Sequence, residues 1–398
     1  METTAKSVGI LWGRVVAIAL VQAALTLMWI AYNAYLGDLL LPWGFTAAFT
    51  AKLLFLELLL ALVMEPVFGL LSDQQQRTLG SRAPLITLGV ILSAGLFVVL
   101  PLVALLQLPI RWVVPSMAIV WALAMTTFRT PIYVLLLKSA PAQDLPLAMS
   151  VLTMTGGLMG LQKEHVKALL LGMGAFPAFL AGSIALLVAS TFLRFYMPPL
   201  QPPAETQPAE ESPPPWAGIG QTALMAIALA WGTKILMTNL GNVFSGEILG
   251  SNPNLMALLN LCLALAAIPI AWLWRQLKDL PLMAIALGVL WVILVILLAA
   301  PPIALLYLPV AILWVTAFAT LKNGTLPFIF MIVPGQWSGF GIGVFFGVSG
   351  LANQLFPPFA PTVNPWLPGL LGLVTLAIAT FLAALPFVPT KTLSGDEV

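Results

Sequence analysis

Three basic residues stand alone inside long apolar stretches of this 398-residue sequence: Arg129, Lys234 and Lys322. In a lipid bilayer each would lie near mid-depth, where a charge costs roughly 2.5–3.5 kcal/mol on insertion scales. A charge kept at that depth is expected to have a partner. The sequence therefore predicts a polar site at mid-membrane depth, where these cations bind an anionic or strongly polar solute. The alternative is that each cation has its own internal partner or reaches the membrane surface.

Other polar residues in the apolar stretches are candidates for the same site. Glu57 lies well inside the second stretch, where its carboxyl group could carry a proton, or could form a structural pair with Arg129 or a hydroxyl group. Asn33 and Tyr35 in the first stretch and Asn239 in the seventh could donate hydrogen bonds to a sugar or a carboxylate. We therefore predict proton coupling at Glu57 and solute binding at the other three residues.

The composition excludes several classes of protein. Hydrophobic residues make up 61% of the chain and charged residues only 8%, whereas a soluble domain has about 25% charged residues. The net charge of +2, without a basic run, gives no indication of nucleic-acid binding. A single cysteine, Cys262, and a single histidine, His165, exclude a disulfide framework and a multi-histidine metal site. No phosphate-binding loop or catalytic motif is present, so we expect no cofactor, no metal and no enzymatic activity.

Twelve stretches have the roughly 20 apolar residues that a helix needs to cross a membrane. The sequence thus predicts an all-α membrane protein with twelve transmembrane helices. The predicted spans are 15–40, 48–71, 84–106, 113–137, 146–162, 169–193, 217–240, 254–274, 281–300, 303–332, 337–360 and 366–387.

A segment rich in proline and glutamate, 196–216, divides the spans into two sets of six. Such a composition is typical of an extended, solvated linker. The sequence around Asn33–Leu40 also aligns with that around Asn242–Leu249, matching Asn to Asn, Gly to Gly and Asp38 to Glu247. We therefore predict two pseudo-symmetric six-helix bundles, 1–195 and 217–398. Most Lys and Arg residues near the span ends lie on the side of the N-terminus, which predicts that both termini are cytoplasmic.

The most specific string lies between the second and third predicted spans: Gly69-Leu-Leu-Ser-Asp73-Gln-Gln-Gln-Arg77-Thr-Leu-Gly-Ser-Arg82-Ala-Pro. Gly69 would let a helix end pack closely on a neighbour, and Asp73 could accept N–H groups of a helix N-terminus or pair with Arg77. Because such a clasp can form in one conformation and break in another, we predict a cytoplasmic gate at Gly69, Asp73, Arg77 and Arg82, with Glu65 beside it. The alternative is an ordinary positively charged loop.

Asp38 and Glu247 lie near the outer ends of their predicted spans. As a pair related by the repeat they could close an outer gate, or they could be solvated helix ends.

In this string the chain resembles the major facilitator superfamily, and most of all its glycoside/sucrose–cation symporter branch with the folate–biopterin and bacteriochlorophyll-delivery relatives. The resemblance rests on Ser72-Asp73 and the later Gly80-x-Arg82-x-Pro84, together with the twelve spans and the central linker. It implies that the first, fourth, seventh and tenth spans line a central cavity, which would bring Arg129, Lys234 and Lys322 together.

These observations predict a secondary active transporter that moves a small polar solute, a sugar or an organic anion, by alternating access with proton coupling. Its partners would be that solute and the lipid bilayer of a plasma or inner membrane, and we expect a monomer. The alternative is a membrane assembly or pigment-delivery factor that has the same fold but transports nothing.

Overall fold

The protein is described from a computed structural model that covers residues 9–106, 109–197, 213–247, 255–277, 281–299, 304–333, 335–355 and 366–385. Side chains are described for the same residues except 241–247, 255–257, 304–308 and 366–367. Most of the predicted linker 196–216 therefore lies outside the described residues.

The described residues are helical, and they contain no β-strand. The α-helices are α1 Trp12–Leu40, α2 Ala47–Leu79, α3 Ala83–Leu106, α4 Val113–Val134, α5 Leu145–Met173, α6 Ala175–Tyr196, α7 Trp216–Glu247, α8 Leu255–Gln276, α9 Leu282–Ala299, α10 Ala304–Ile332, α11 Ser338–Leu355 and α12 Trp366–Ala384. Short 3₁₀ turns cover Leu41–Trp43, Leu135–Lys138, Ala142–Asp144 and Gly335–Trp337.

Ten helices, α1 to α10, are long and apolar enough to cross a membrane by length and composition. The apolar part of α12, Pro368–Ala384, is shorter. Helix α11 is rich in glycine and carries Asn353 and Gln354 near its end, and it is not among the ten. Helices satisfy all their internal backbone hydrogen bonds, which is why apolar chains cross lipid in this form. The protein is an integral, multi-pass membrane protein.

Two helices end later than the hydropathy of the sequence predicts. α2 continues eight residues beyond the predicted end at 71, so Asp73 and Arg77 lie on the helix and not in a loop. It ends at Gly80, whose φ of 66° is a left-handed conformation that favours glycine. α5 likewise continues beyond 162, through the charged segment Lys163–Lys167, to Gly174 with φ 87°. In both places the chain leaves the apolar region before the helix ends.

The hydrophobic core has two parts. One is built from α1 to α6 with a few residues of α10 and α11. The other is built from α7 to α10 with α12. Between the two halves of the chain, α2 packs along α11 and α5 packs along α8. In the predicted repeat, α2 corresponds to α8 and α5 corresponds to α11. The two contacts are therefore equivalent under that repeat.

Glycines make the α2–α11 contact unusually close. A Cβ atom on Gly69 would overlap the backbone oxygen of Gly339, and one on Gly343 would overlap the backbone oxygen of Glu65. One on Gly347 would lie 3.0 Å from the Leu62 backbone oxygen. Small residues of this kind let two helix backbones approach in a membrane. The contact closes the path between the halves at the Gly69 end of α2.

Candidate functional site

A cavity of about 360 Å³ lies between α1, α2, α4 and α11. Its charged lining residues are Glu57 and Glu65 of α2 and Arg129 of α4. Asn33 of α1 and Asn353 of α11 add polar groups. Glu57 is about 15 Å along α2 from its first residue, at 1.5 Å per residue, and so lies near mid-membrane depth. The cavity therefore contains one of the three predicted cations together with Glu57 and Glu65.

Glu65 and Arg129 form a buried ion pair in the wall of this cavity. An Arg129 guanidinium nitrogen lies 2.5 Å from Glu65 Oε1, with the Glu65 side chain fully buried and that of Arg129 28% exposed. The Thr130 hydroxyl donates a hydrogen bond to Glu65 Oε2. The guanidinium also lies 5.5 Å from the centre of the Phe346 ring, a cation–π contact between α4 and α11.

This pair corrects the expected position of Glu65. The sequence placed it in the gate with Asp73, but the two residues are eight positions apart on one helix, or about 12 Å. Glu65 therefore belongs to the cavity, and Arg129 has a carboxylate partner of its own.

Glu57 contacts the cavity through a carboxylate that is only partly satisfied. The Tyr32 hydroxyl donates a hydrogen bond to Oε1. Oε2 has no hydrogen-bond partner among the described residues. Behind the carboxylate, the rings of Trp29, Tyr32 and Trp121 pack together with centroids 4.4–5.7 Å apart. One oxygen is therefore held by the Tyr32 hydroxyl within an aromatic wall, and the other is a buried acceptor that a proton would satisfy.

A second cavity, of about 510 Å³, lies between α1, α4 and α5 on one side and α7, α8, α10 and α11 on the other. It adjoins the first, because Phe346, Ser349 and Asn353 line both. Lys322 of α10 is its only charged residue among the described lining residues. The Lys322 Nζ lies 5.2 Å from the centre of the Phe318 ring. The two cavities thus differ in charge, since the first has two acids and one base and the second has one base.

The three predicted cations therefore do not share one cavity. Arg129 lines the first cavity and Lys322 the second, while Lys234 lines neither. The Lys234 Nζ donates a 2.6 Å hydrogen bond to the backbone oxygen of Asn353 and so joins α7 to α11. Asn239 also lines neither cavity, and its amide donates to the Ile235 oxygen of its own helix.

The predicted solute ligands of α1 are separated as well. Asn33 lines the first cavity, and its amide donates to the Trp29 oxygen. Tyr35 is buried on another face, where its hydroxyl donates a 2.8 Å hydrogen bond to the Leu170 oxygen of α5. Residues two apart on a helix differ by about 200° in direction, so the two side chains cannot reach the same cavity. Tyr35 joins α1 to α5 and is not a cavity residue.

The closed end of the α2–α11 contact is held by Asp73. Its Oδ1 lies 2.5 Å from an Arg82 guanidinium nitrogen and accepts a 3.0 Å hydrogen bond from the Gly339 N–H. Its Oδ2 accepts a 3.0 Å bond from the Phe340 N–H. A carboxylate here is stabilised by the exposed N–H groups at the start of α11. Burial lowers the pKa of Arg82, and the charge of Asp73 acts in the opposite direction.

Arg77 contacts the same end without pairing with Asp73, which corrects the expected Asp73–Arg77 clasp. Its guanidinium donates a 3.2 Å hydrogen bond to the backbone oxygen of Gln336 and lies 5.0 Å from the centre of the Trp337 ring. Arg77 lies one turn beyond Asp73 on α2, and the chain reverses at Gly80 to bring Arg82 back to Asp73 instead. Gly69, Asp73, Arg77 and Arg82 are thus together at one end of the α2–α11 contact.

A third ion pair lies at the α5–α8 contact, and it was not predicted from the sequence. Arg275 Nε, near the end of α8, lies 3.0 Å from Asp144 Oδ1, just before α5. At the α2–α11 contact the acid, Asp73, lies near the end of α2. At the α5–α8 contact it is the base, Arg275, that lies near the end of α8. The approximate repeat could have suggested this pair, because α8 corresponds to α2 and α5 to α11.

The predicted outer gate has no described counterpart. Asp38 is exposed on α1. Glu247 is the last residue of α7, and its side chain lies outside the described residues. Their pairing stays a prediction.

Sequence reasoning did not identify several aromatic and hydroxyl residues of the site: Trp29, Tyr32, Thr130, Phe318 and Phe346. Aromatic residues in an apolar chain are usually lipid-facing or at the membrane surface. Only the position of Thr130, next to Arg129, carried a signal.

No protein-family model and no curated protein matches the sequence. Solved structures do resemble it. The human organic anion transporter MFSD10 is 12% identical with a TM-score of 0.65, over 93% of this chain and 99% of that one. A bacterial homologue of the iron transporter ferroportin, in an outward-facing state, is 14% identical with a TM-score of 0.65, over 93% and 97%. The E. coli fucose:proton symporter FucP is 15% identical with a TM-score of 0.62, over 93% and 98%.

The fold is that of the major facilitator transporters. At these identities the likeness concerns the fold alone and does not extend to the glycoside/sucrose–cation branch. In this fold, the two cavities lie between the halves of the chain, and the Asp73 and Asp144 ion pairs lie where the halves meet.

Proposed function

We propose that this chain is a proton-coupled secondary transporter, acting as a monomer, that moves a small polar solute across a membrane by alternating access. In this proposal, twelve spans form two six-helix bundles, 1–195 and 217–398, joined by the cytoplasmic linker 196–216. The bundles rock about the α2–α11 and α5–α8 contacts, and the solute binds between them. The cytoplasmic positions of the termini and the linker follow from the distribution of Lys and Arg.

The observation that carries the proposal is the pair of acids in the first cavity. A carboxylate at mid-membrane depth is costly and is characteristic of proton and solute pathways. Glu57 has an oxygen without a hydrogen-bond partner in the described part of the chain, and Glu65 is paired with Arg129, so the two acids differ in their ability to take a proton. We assign the transported proton to Glu57 and a positioning role to the Glu65–Arg129 pair.

The state of the gate supports alternating access. The α2–α11 contact is closed at Asp73, where the predicted orientation places the cytoplasm. The arrangement therefore corresponds to an outward-facing state. An inward-facing state requires the hydrogen bonds between Asp73 and the start of α11 and the Arg275–Asp144 pair to break. A proton or solute can drive this change only if it binds the two states with different affinity.

The solute class is a sugar or an organic anion. Neighbouring structures are named for both, a fucose:proton symporter and an organic anion transporter. Lys322 in the wall of the second cavity supplies positive charge for an anion, and Asn33 and Asn353 supply amide groups for hydroxyls.

The test is uptake by the purified chain in proteoliposomes, with labelled sugars and monocarboxylates and with or without an inward proton gradient. We expect the gradient to accelerate uptake of at least one solute. Glu57→Gln keeps an acceptor for Tyr32 but carries no proton, so it should abolish the stimulation and leave solute exchange across equal pH intact. The matched control is Glu164→Gln, at an exposed position on α5.

If the wild type takes up a solute at the same rate with and without the proton gradient, Glu57 has no coupling role. Absence of flux for every solute would favour the non-transporting alternative.

A further inference from the structure

The second cavity has a charge that nothing in its described wall neutralises. Lys322 is the only charged residue among its described lining residues, and the Lys322 ammonium group lies over the Phe318 ring. Lys322 lies ten residues before the end of α10 at Ile332, about 15 Å from that end, which is too far for its ammonium group to reach the membrane surface. A cation in such a position is stabilised by an anion that enters the cavity.

The other basic residues nearby are already engaged. Arg129 is paired with Glu65 at 2.5 Å, and it lines the adjoining cavity. Lys234 donates to the Asn353 oxygen at 2.6 Å and does not line the cavity. The described wall of the second cavity therefore carries a single positive charge, which one negative charge balances and two would exceed.

The rest of the wall is mixed. Phe318, Leu326, Phe345, Phe346 and Met149 are among its apolar residues, and amide and hydroxyl side chains such as Asn260 and Thr325 lie between them. The apolar residues accept the apolar body of a ligand, and the charge of Lys322 favours an anion over a neutral sugar.

Two polar side chains of the N-terminal half also line this space. Gln22 Oε1 and Thr153 Oγ1 are buried, and neither has a hydrogen-bond partner among the described residues. Both residues line the cavity, on α1 and α5. The volume of about 510 Å³ is within the range of sites that hold small organic ligands.

We infer that the second cavity binds an amphipathic organic monoanion, with its carboxylate on Lys322 and its apolar body against the Phe318, Phe345 and Phe346 side. The inference rests on the proposed transport function and narrows its solute class from sugars and organic anions to monocarboxylates with an apolar body. Gln22 and Thr153 then provide hydrogen-bonding groups on the opposite wall.

The test measures equilibrium binding of small carboxylates to the full chain in nanodiscs. Binding is detected as a shift in Tm and is quantified by calorimetry. The probes are benzoate, its neutral analogue benzamide and the dianion phthalate. We expect benzoate alone to raise Tm, since a ligand that binds the folded state stabilises it by mass action. Lys322→Gln should weaken benzoate binding about tenfold or more, because a charge-assisted hydrogen bond is lost.

Two variants complete the design. Lys322→Arg keeps the charge and should keep most of the benzoate effect, which also covers the case in which Lys322→Gln does not fold. Lys163→Gln, at an exposed position on α5, is the matched control and should bind benzoate as the wild type does.

Three results would overturn the inference: no shift in Tm with benzoate, equal shifts with benzoate and benzamide, or unchanged benzoate binding in Lys322→Gln. Because binding is measured without flux, the failure of transport and the failure of this site can be told apart. A chain that binds benzoate through Lys322 but moves no solute would refute only the proposed transport.

Discussion

At the scale of single residues, the main feature of the site is how its charged groups are neutralised. Arg129 and Glu57 each have a partner side chain, whereas Lys322 lies in a cavity without an acid among its described lining residues. Glu65 neutralises Arg129, and Tyr32 holds Glu57 by one oxygen. A buried ion pair contributes little net stability, because desolvation offsets the attraction, but removing one member is costly. The Glu65–Arg129 pair can therefore be tested by its coupling.

We expect Arg129→Ala to lower the free energy of unfolding by about 3 kcal/mol, since it leaves a fully buried carboxylate without a counter-charge. Glu65→Ala should also destabilise the protein, and the double variant should cost less than the sum by about 1 kcal/mol or more. The measurement is SDS-induced unfolding in mixed micelles, followed by circular dichroism. Lys163→Ala is the exposed control, and additive costs in the double variant would show that the two residues do not act as a pair.

Residue positions within a helix were the weakest part of the sequence prediction. The depth of Glu57, Arg129 and Lys322 follows from counting along apolar runs, because lipid thickness fixes the length of a span. The direction of a side chain does not follow, because α1 is apolar on all faces and its pattern leaves the helix rotation open. For this reason Asn33 and Tyr35 were assigned to one site, although the structure puts them on different faces.

At the scale of helices, the closed end of the cavity depends on two glycines and one buried carboxylate. A Cβ on Gly69 would meet the backbone oxygen of Gly339, and backbone cannot rotate away as a side chain can. Gly350 lies on the same helix as Gly339, and a Cβ there would make only an ordinary 3.6 Å contact with Leu58. The two positions form a matched pair for testing the α2–α11 contact.

We expect Gly69→Ala to open this end by about 1.4 kcal/mol, or tenfold in the population of open molecules, as overpacking of a tight contact usually costs 1–3 kcal/mol. A reporter is Ser338→Cys, at a buried position beside Arg82, in a Cys262→Ser background. Its labelling by an impermeant maleimide should be about tenfold faster with Gly69→Ala and unchanged with Gly350→Ala. Equal labelling in both variants would mean that the contact does not form the gate.

The two ion pairs that lie where the halves meet should contribute unequally to the stability of the closed state. Arg82 is 3% exposed beside Asp73, whereas Arg275 is 50% exposed beside Asp144. Arg82→Gln leaves a buried carboxylate held only by two N–H groups, so we expect labelling of the same reporter to rise about tenfold or more. Arg275→Gln breaks a solvent-screened pair and should change the opening equilibrium by less than about 1 kcal/mol. Similar effects of the two variants would indicate a symmetric lock.

The helices were largely predictable, but their ends and partners were not. Apolar length identifies a span, since any backbone in lipid must be helical. It says nothing of a helix that continues into water, as α2 does to Gly80 and α5 to Gly174. The Arg82–Asp73 and Arg275–Asp144 pairs depend on those extensions and on chain reversals, which hydropathy does not report.

At the scale of the whole molecule, the all-helical architecture and the major facilitator fold are confirmed, and the repeat appears in the packing of the halves. The α2–α11 and α5–α8 contacts are equivalent when each helix is matched to the one six places away in the chain. The cavities do not follow this symmetry, because the acids are in α2 and the lone cation is in α10. The difference in charge arises from residues that the sequence repeat does not share.

This asymmetry predicts how transport responds to voltage. A monoanion on Lys322 and one proton on Glu57 add no net charge when they cross together. One net charge moving through 100 mV would be worth about 2.3 kcal/mol, or roughly fiftyfold in accumulation. In proteoliposomes loaded with potassium and treated with valinomycin, we expect an imposed potential to leave monocarboxylate accumulation unchanged.

An inward proton gradient without a potential should raise that accumulation, and Glu57→Gln should remove the rise while the response to voltage becomes strong. The reason for the second effect is that the anion would then cross without its proton, so each turnover would carry one negative charge. Accumulation that follows the potential in the wild type would contradict a one-to-one pairing of proton and anion. It would also require a second coupled charge, for which the described cavity walls offer Glu65 as the remaining acid.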